Sequence, residues 1–406
     1  MQQLYDTREK PKRAFLVTIT NDQKSESQSK KSRDRDLQGG ELRGLAESLG
    51  LEIAAHEKIR VREKSPKYGM GSGKAEELTE KAAGLKADLM VFDWNPSPSQ
   101  QRNWEELSGI PVVDRQELII RIFADRATTR EAELQVRLAE LSYFLPRLTH
   151  KYIDLSRQRG GRYGTKGSGE TKLETDRRKI EKRIHLLEKE VENVRKHRQM
   201  QRRQRERNNL PVCAIVGYTN AGKSSLLNAL TGADVPAEDK LFVTLDAVTR
   251  RFQPAPDMPV LLTDTVGFIR QLPHSLIKAF HSTLEEAALA DILIHIMDAS
   301  DPDIESNYET TITVLRELGA ENIPMISILN KIDKLQITKN SEQVIESNEQ
   351  LTVNSEQSAV NNKRMVYLEE LKNLFPGSIA VSVKEGSGLD LLKERIVNEL
   401  TCARFF

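Results

Sequence analysis

With 406 residues, 38% of them hydrophobic and 30% charged, the chain is long enough for two or three domains with real cores and long charged helices. A net charge of +1 rules out a chain that is basic throughout, so any charge that matters for partners must be local. Two cysteines, Cys213 and Cys402, exclude a disulfide framework and fit a reducing compartment; no apolar run reaches the ~18 residues of a bilayer span and no signal stretch opens the chain, so a cytoplasmic protein is expected.

Residues 1–126 alternate β and α. Ala14–Ile19 reads as an apolar strand, Glu41–Leu49 as a helix, Glu52–Ala55 as the start of a strand, Ala75–Ala83 as a helix, and Leu89–Phe92 and Val112–Val113 as strands. That order predicts a small α/β domain with a partly parallel sheet. Residues 127–208 change character. Leu134, Leu138, Leu141 and Leu145 recur at helical spacing, and Pro146 is expected to stop that helix. A second helix from about Thr171 to Arg207 carries Leu173, Ile180, Leu187 and Val194 every seven residues, with Ile184 and Val191 between them, a two-position heptad seam. Two such helices predict an antiparallel helical hairpin, a coiled coil, joined by a loop rich in glycine.

Residues 209–406 return to strict alternation, with strands Val212–Val216, Val260–Thr263, Ile292–Met297, Met325–Leu329 and Ile379–Val381. This predicts a doubly wound domain with a mainly parallel sheet. Gln336–Lys363 repeats a Ser-Glu-Gln or Asn-Glu-Gln pattern with few hydrophobes, and reads as a disordered insertion.

The chemistry lies in this third region. Gly217, Tyr218, Thr219, Asn220, Ala221, Gly222, Lys223 and Ser224 form a phosphate-binding loop pattern between an apolar strand and a helix opening at Ser225. Glycines let backbone N–H groups turn towards phosphate oxygens, and the helix N-terminus adds further donors. Lys223 would neutralise the β- and γ-phosphates and Ser224 would ligate Mg²⁺. Asp264, at the end of the next strand, is placed to hold Mg²⁺ through water, and the Gly267 N–H to meet the γ-phosphate. Asn330, Lys331 and Asp333 follow another strand; an aspartate can accept two N–H groups from guanine, a pair that adenine does not offer. Ser382, Val383 and Lys384 follow the last strand, where backbone N–H groups would meet the guanine O6. A loop threonine between the phosphate loop and Asp264 would close on Mg²⁺ when a γ-phosphate is present; Thr244 is the candidate and Thr249 its competitor. Phe268 stands where many GTPases carry the glutamine that orients the attacking water. Asn220 occupies a position that can help hold a monovalent cation such as K⁺ near the phosphates. Gly71-Ser-Gly-Lys74 mimics part of a phosphate loop, but Ala75 replaces the Mg²⁺ ligand, so it reads as a helix-start turn.

Four stretches carry a resemblance to the HflX GTPases: Tyr68-Gly-Met-Gly-Ser-Gly-Lys-Ala-Glu-Glu-Leu78, the run from Asp114 to Ala127, Gly164-Thr-Lys-Gly-Ser-Gly-Glu-Thr-Lys-Leu-Glu-Thr-Asp-Arg-Arg178, and Leu241-Phe-Val-Thr-Leu-Asp-Ala-Val-Thr-Arg250. The third is the most specific. The resemblance implies that Thr244 is the switch threonine, that the ligands are GTP or GDP with Mg²⁺, and that the partner is the large (50S) ribosomal subunit, in splitting or rescue of stalled ribosomes. A monomer is expected. Ala247 departs from the family's usual proline, and many members carry a further C-terminal domain.

From Arg157 to Arg207 there are eighteen Lys/Arg against eight Asp/Glu, a local surplus of ten. A solvated coiled-coil face would explain a charged helix alone. The neighbouring glycine-rich loop with Arg157, Arg159, Arg162, Tyr163 and Lys166 favours contact with folded RNA, because glycine allows close approach while arginine and tyrosine stack on bases. Two functions compete: a GTP-hydrolysing factor whose nucleotide state controls ribosome binding, and a nucleotide-gated RNA-binding module, an assembly or stress factor, whose hydrolysis is incidental.

Overall fold

A computed structural model describes residues 12–21, 40–61, 65–158, 168–207, 210–236, 238, 240–256, 258–270, 276, 280–335 and 356–403. By contacts it divides into two compact units, one of Met1–His197 with Leu272–Phe280, the other of Arg198–Gln271 with His281–Phe406.

In the first unit β1 (Arg13–Asn21), β2 (Glu52–Val61), β3 (Leu89–Phe92) and β4 (Val112–Asp114) form a four-stranded sheet in the order β2-β1-β3-β4, every pair parallel. Parallel strands need crossovers, and the chain supplies them as helices: α1 (residues 40–48), α2 (Ser72–Gly84) and α3 (Pro98–Ser108). The fully buried β3 is a continuous apolar run, as a strand covered on both faces must be. An aromatic cluster fills the core, with Trp104 edge-on to Tyr68 and Phe92 and its indole N–H donated to the Tyr68 carbonyl at 2.9 Å. The Gly71–Lys74 turn opens α2, with Gly71 as its N-cap residue. Ser97 caps α3 reciprocally with Gln100, just ahead of Pro98.

Helix α4 (Arg115–Arg126) and the long α5 (Arg130–Gln158) complete this layer, α5 packing on α3 and α4. Here one expectation fails. Pro146 does not stop the helix, which runs through it to Gln158. The proline removes one helical donor. The turn around it is tied down by Arg147, which donates to the Tyr143 carbonyl at 3.1 Å and to the buried Asp114 at 2.9 Å, and lies 3.6 Å over the Tyr143 ring. The buried face of α5 is Ala132, Val136, Ala139 and Tyr143, whereas Leu134, Leu138, Leu141 and Leu145 are only half-buried. Alanines let helix backbones approach closely, which the sequence pattern of leucines does not register. Helix α6 spans Ser168–Arg207, with Leu187 buried and Ile180, Ile184, Val191 and Val194 half-buried along one face. The glycine-rich loop, with Arg159, Arg162 and Lys166, lies outside the described residues, as does the side chain of Arg157 in the last turn of α5.

Burial acts on the ionisable groups at the C-terminal ends of β3 and β4. Desolvation raises Asp93 and Asp114 to about 6, against the opposing pull of Arg115 and Arg147 respectively. Arg115 in turn holds Glu41 at 2.7 Å and Asp93 at 3.0 Å.

The second unit is a six-stranded sheet in the order β10-β9-β8-β5-β7-β6. Its strands are β5 (Val212–Val216), β6 (Val248–Ala255), β7 (Met258–Asp264), β8 (Ile292–Asp298), β9 (Met325–Asn330) and β10 (Ile379–Ala380). All pairs are parallel except β6 with β7. Strand β6 is not expected from sequence, because its exposed edge carries Arg250, Arg251 and Gln253 rather than an alternating apolar face. The helices are α7 (Lys223–Thr231), α8 (His281–Ala288), α9 (Ile304–Glu317), α10 (Glu356–Leu374) and α11 (Leu389–Ala403). Residues 336–355 of the expected insertion lie outside the described residues, but 356–363 form the first turns of α10, which corrects a disordered reading that extended to Lys363. Ile215, Leu226, Leu262, Ile294, Ile328 and Ile396 sit in one buried core beneath the ends of the strands. The chain leaves β5 for β6 and β7 on one side and returns to β8 on the other, so the C-terminal end of β5 is a topological switch point, where doubly wound folds bind ligands.

Candidate functional site

The loop between β5 and α7 lies at that switch point. Gly222 takes φ of 103° as the N-cap residue of α7, and a Cβ there would fall 2.4 Å from the Asn330 side-chain nitrogen, so glycine is required by conformation and by space. Lys223 follows as the first residue of α7, nearly sequestered from solvent. Its ammonium donates to the carbonyls of Gly217 at 3.1 Å and Tyr218 at 2.8 Å. Burial brings its pKa down to about 8, against the raising effect of Asp264. Burial likewise raises Asp264, opposed by Lys223 and by bonds from Ser224 and Thr244.

Around this ammonium a cavity of about 220 Å³ opens, lined among others by Thr219, Ser224, Thr244, Gly267 and Lys331. The Ser224 hydroxyl lies 2.6 Å from Asp264 Oδ2 and 2.5 Å from the Thr244 hydroxyl. Three oxygens from the phosphate loop, the following loop and the end of β7 thus converge on one point. The other oxygen of Asp264 is buried and has no hydrogen-bond partner among the described residues. A hard cation takes oxygen ligands of this kind, with water and phosphate completing its shell, so the donor set fits Mg²⁺. No group of three or more His, Cys, Asp or Glu able to hold a metal is found among the described residues. The two candidate threonines have different surroundings. Thr249 lies in β6 and its hydroxyl pairs with Thr263 at 3.0 Å, so it is tied into the sheet, while Thr244 reaches the cavity.

At the other end of the loop the Asn330 side chain joins two segments, donating to the Ala221 carbonyl at 2.9 Å and accepting from the Val383 N–H at 3.2 Å. Lys331, in a left-handed conformation, donates to the Asn220 carbonyl at 2.7 Å and pairs with Asp298 at 2.8 Å. Asp333 receives the Ser382 hydroxyl at 2.6 Å. The Asn330–Asp333 and Ser382–Lys384 stretches are therefore brought together, as recognition of one base requires. Ser225 lies in the first turn of α7, and Lys384 is exposed. Asn220 is exposed with φ of 62°.

Sequence reasoning missed several contributors. Asp298, the partner of Lys331, ends an apolar strand and could have been found by that position. Glu238, Lys240, Phe242 and Lys334 also line the cavity, and nothing in their spacing marks them. The Phe268 backbone pairs with the phosphate loop, its N–H donating to Gly217 at 3.1 Å and its carbonyl accepting from Thr219 at 2.8 Å, while its ring is buried. Within the same unit the Arg270 N–H donates to the Tyr218 hydroxyl at 3.1 Å.

The chain is similar to several known families and proteins. Residues 212–331 match a family described as "50S ribosome-binding GTPase", residues 37–124 one described as "GTP-binding GTPase N-terminal", and residues 126–205 one described as "GTP-binding GTPase Middle Region". A GTPase HflX of Akkermansia muciniphila is 48% identical over 340 residues, 81% of this chain and 76% of that protein. A GTPase HflX of Escherichia coli is 43% identical over 306 residues, 75% of this chain and 72% of that protein. A GTP-binding protein of Sulfolobus solfataricus, solved in complex with GDP, is 23% identical with a TM-score of 0.44, covering 96% of this chain and 99% of that one.

Proposed function

The chain belongs to the HflX family of GTPases, and on that premise we propose that it is a factor whose nucleotide state controls binding to the large ribosomal subunit, in splitting or rescue of stalled ribosomes. The observation that carries this reading is the convergence of Ser224, Thr244 and Asp264 beside Lys223, because Thr244 sits on a loop and can report whether a γ-phosphate is present. In this reading Lys223 and the amides of the phosphate loop hold the β- and γ-phosphates, and the Gly267 N–H meets the γ-phosphate. Asp333 accepts the guanine edge, steadied by Ser382. Asn330 and Lys331 keep that base-recognising turn against the phosphate loop. Mg²⁺, when bound, screens the charge that develops on the phosphates. A K⁺ ion near Asn220 would act in the same sense.

The arm is α5 and α6, read as an antiparallel hairpin whose basic loop with Arg157, Arg159, Arg162 and Lys166 meets ribosomal RNA. The local surplus of ten positive charges supports it. The protein acts in the cytoplasm as a monomer in this reading, and no described helix is long and apolar enough to cross a membrane.

A second reading keeps hydrolysis incidental, with the nucleotide gating an RNA-binding module. Phe268 favours it, since phenylalanine cannot orient water through its side chain. GTP turnover measured with and without purified large subunits, in sodium and in potassium buffer, separates the two. The first reading expects slow basal turnover and strong stimulation by subunits. Nucleotide-dependent subunit binding without stimulation would select the second, and equal turnover in both buffers would remove the potassium site.

A further inference from the structure

If Phe268 does not orient the attacking water, another group beside the γ-phosphate has that task, and the cavity holds a candidate. The two backbone bonds between Phe268 and the phosphate loop hold Thr219 against the segment that ends in Gly267. A Cβ on Gly267 would lie 2.7 Å from Thr219 Cγ2 and 3.0 Å from the Lys223 ammonium. Thr219, Gly267 and Lys223 therefore share one corner of the cavity. The Thr219 N–H is already given to Phe268 at 2.8 Å, so the hydroxyl, which can donate or accept, is the group this residue has left for a ligand. That hydroxyl is buried, with the residue 6% exposed, and it makes no hydrogen bond among the described residues. Leaving a buried hydroxyl unpaired is unfavourable, so its position calls for a partner that arrives with the ligand. The nearest bland account, a threonine chosen for its methyl group packing on Gly267, explains Cγ2 and leaves the oxygen unexplained.

We propose that Thr219 is a catalytic residue: its hydroxyl hydrogen-bonds the attacking water at the γ-phosphate, the task that Phe268 cannot perform. This rests on the reading of the same cavity as the GTP site. The water oxygen forms a bond to the γ-phosphorus as the bond from that phosphorus to the β–γ bridging oxygen breaks. The electron pair of the broken bond stays on the β-phosphate of GDP, and the proton lost by the water ends on the released phosphate. Thr219 accepts from the water as it is positioned and exchanges no net proton.

The test uses the full chain, as Thr219→Val, which keeps the shape and removes the hydroxyl, and Thr219→Ser, which keeps the hydroxyl. Single-turnover GTP hydrolysis, GDP affinity and the melting temperature of the nucleotide-free protein are measured for each. Valine should slow hydrolysis by about 10²–10³-fold, the range expected for loss of one positioned polar group. GDP affinity should stay within about twofold, because GDP brings no γ-phosphate or attacking water. The nucleotide-free valine variant should melt no lower than the parent, because an unpaired buried hydroxyl has been replaced by a methyl group. Serine should retain most of the parental rate. Hydrolysis by the valine variant at the parental rate would overturn the proposal, as would equal slowing by valine and serine, which would leave methyl packing as the role. Loss of GDP affinity in the valine variant would make Thr219 a binding group and also overturn it. A parent that fails to bind GTP would sink the assignment of the cavity itself, and direct titration of the parent reads that separately.

Discussion

Lys223 is a charged side chain in a place where charge is disfavoured. Two carbonyl oxygens hold its ammonium, yet burial still brings its pKa to about 8. A buried cation of this kind contributes little to folding and much to binding an anion, because the desolvation has already been met when the phosphate arrives. Lys223→Ala should therefore leave the melting temperature of the nucleotide-free protein unchanged or raised. It should weaken GTP and GDP alike by about 10²–10³-fold, the loss expected when one partner of a desolvated charge pair is removed. Calorimetric titration beside a thermal melt checks both halves, and unchanged affinity would exclude this loop as the phosphate site. The same logic separates residues that hold the site from residues that act in it. Asn330 spends both ends of its amide on backbone groups of neighbouring segments, so its work is to keep two loops in register.

At the scale of elements, Asp114 joins the middle of the long helix α5 to β4 and α4. Asp114 ends β4, caps α4 through the Glu117 N–H at 2.8 Å, and accepts from Tyr143 and Arg147 of α5, each at 2.9 Å. One fully buried carboxylate therefore ties a strand, the next helix and the one after it. Asp114→Ala removes the cap and both cross-element bonds, and leaves Arg147 without its charge partner. It should destabilise the first unit by about 3–5 kcal/mol, as breaking a buried pair does. Urea unfolding with a fluorescence probe on Trp104 would measure it, and a loss under about 1 kcal/mol would show that Arg147 simply turns to solvent. Local sequence could nominate Asp114 as a helix cap, since it precedes Arg115-Gln-Glu117. It could not reveal the bonds from Tyr143 and Arg147, which lie 29 and 33 residues away.

Over the whole molecule, the sign of charge is unevenly distributed. The chain is nearly neutral, yet the stretch from Arg157 to Arg207 alone holds a surplus of ten positive charges. Such a separation suits a protein that binds a polyanion at one place while a compact unit elsewhere handles nucleotide. Replacing Arg157, Arg159, Arg162 and Lys166 together with alanine should weaken binding to large subunits. It should also lower the dependence of that binding on salt by about one log–log unit per phosphate contact removed. Affinity for GTP in the absence of subunits should survive, because the residues of the nucleotide cavity all lie in the second unit. A variant that co-sediments with large subunits as well as the parent, at every salt concentration, would return the arm to a purely structural role.

The sequence by itself determined what depends on short range. A glycine loop between an apolar strand and a helix is a local requirement, so Gly217 to Ser224 could be read directly. The places of Asp264, Asn330 and Asp333, each at or just beyond the end of an apolar strand, were legible in the same way. The parallel sheets followed from alternating elements for the same reason. Tertiary structure decided what depends on neighbours distant along the chain. Thr244 and Thr249 are equivalent in composition; pairing of β6 with β7 ties up one and leaves the other to meet Ser224. The leucines of α5 look like its core face, but close approach to α3 and α4 selects the alanine face instead. Pro146 stays within its helix because Arg147 is anchored on Asp114. The unpaired hydroxyl of Thr219 exists only once the Phe268 backbone has closed against the phosphate loop. Propensity and spacing are properties of a few consecutive residues, whereas burial and hydrogen-bond satisfaction are settled by whatever the rest of the chain brings alongside.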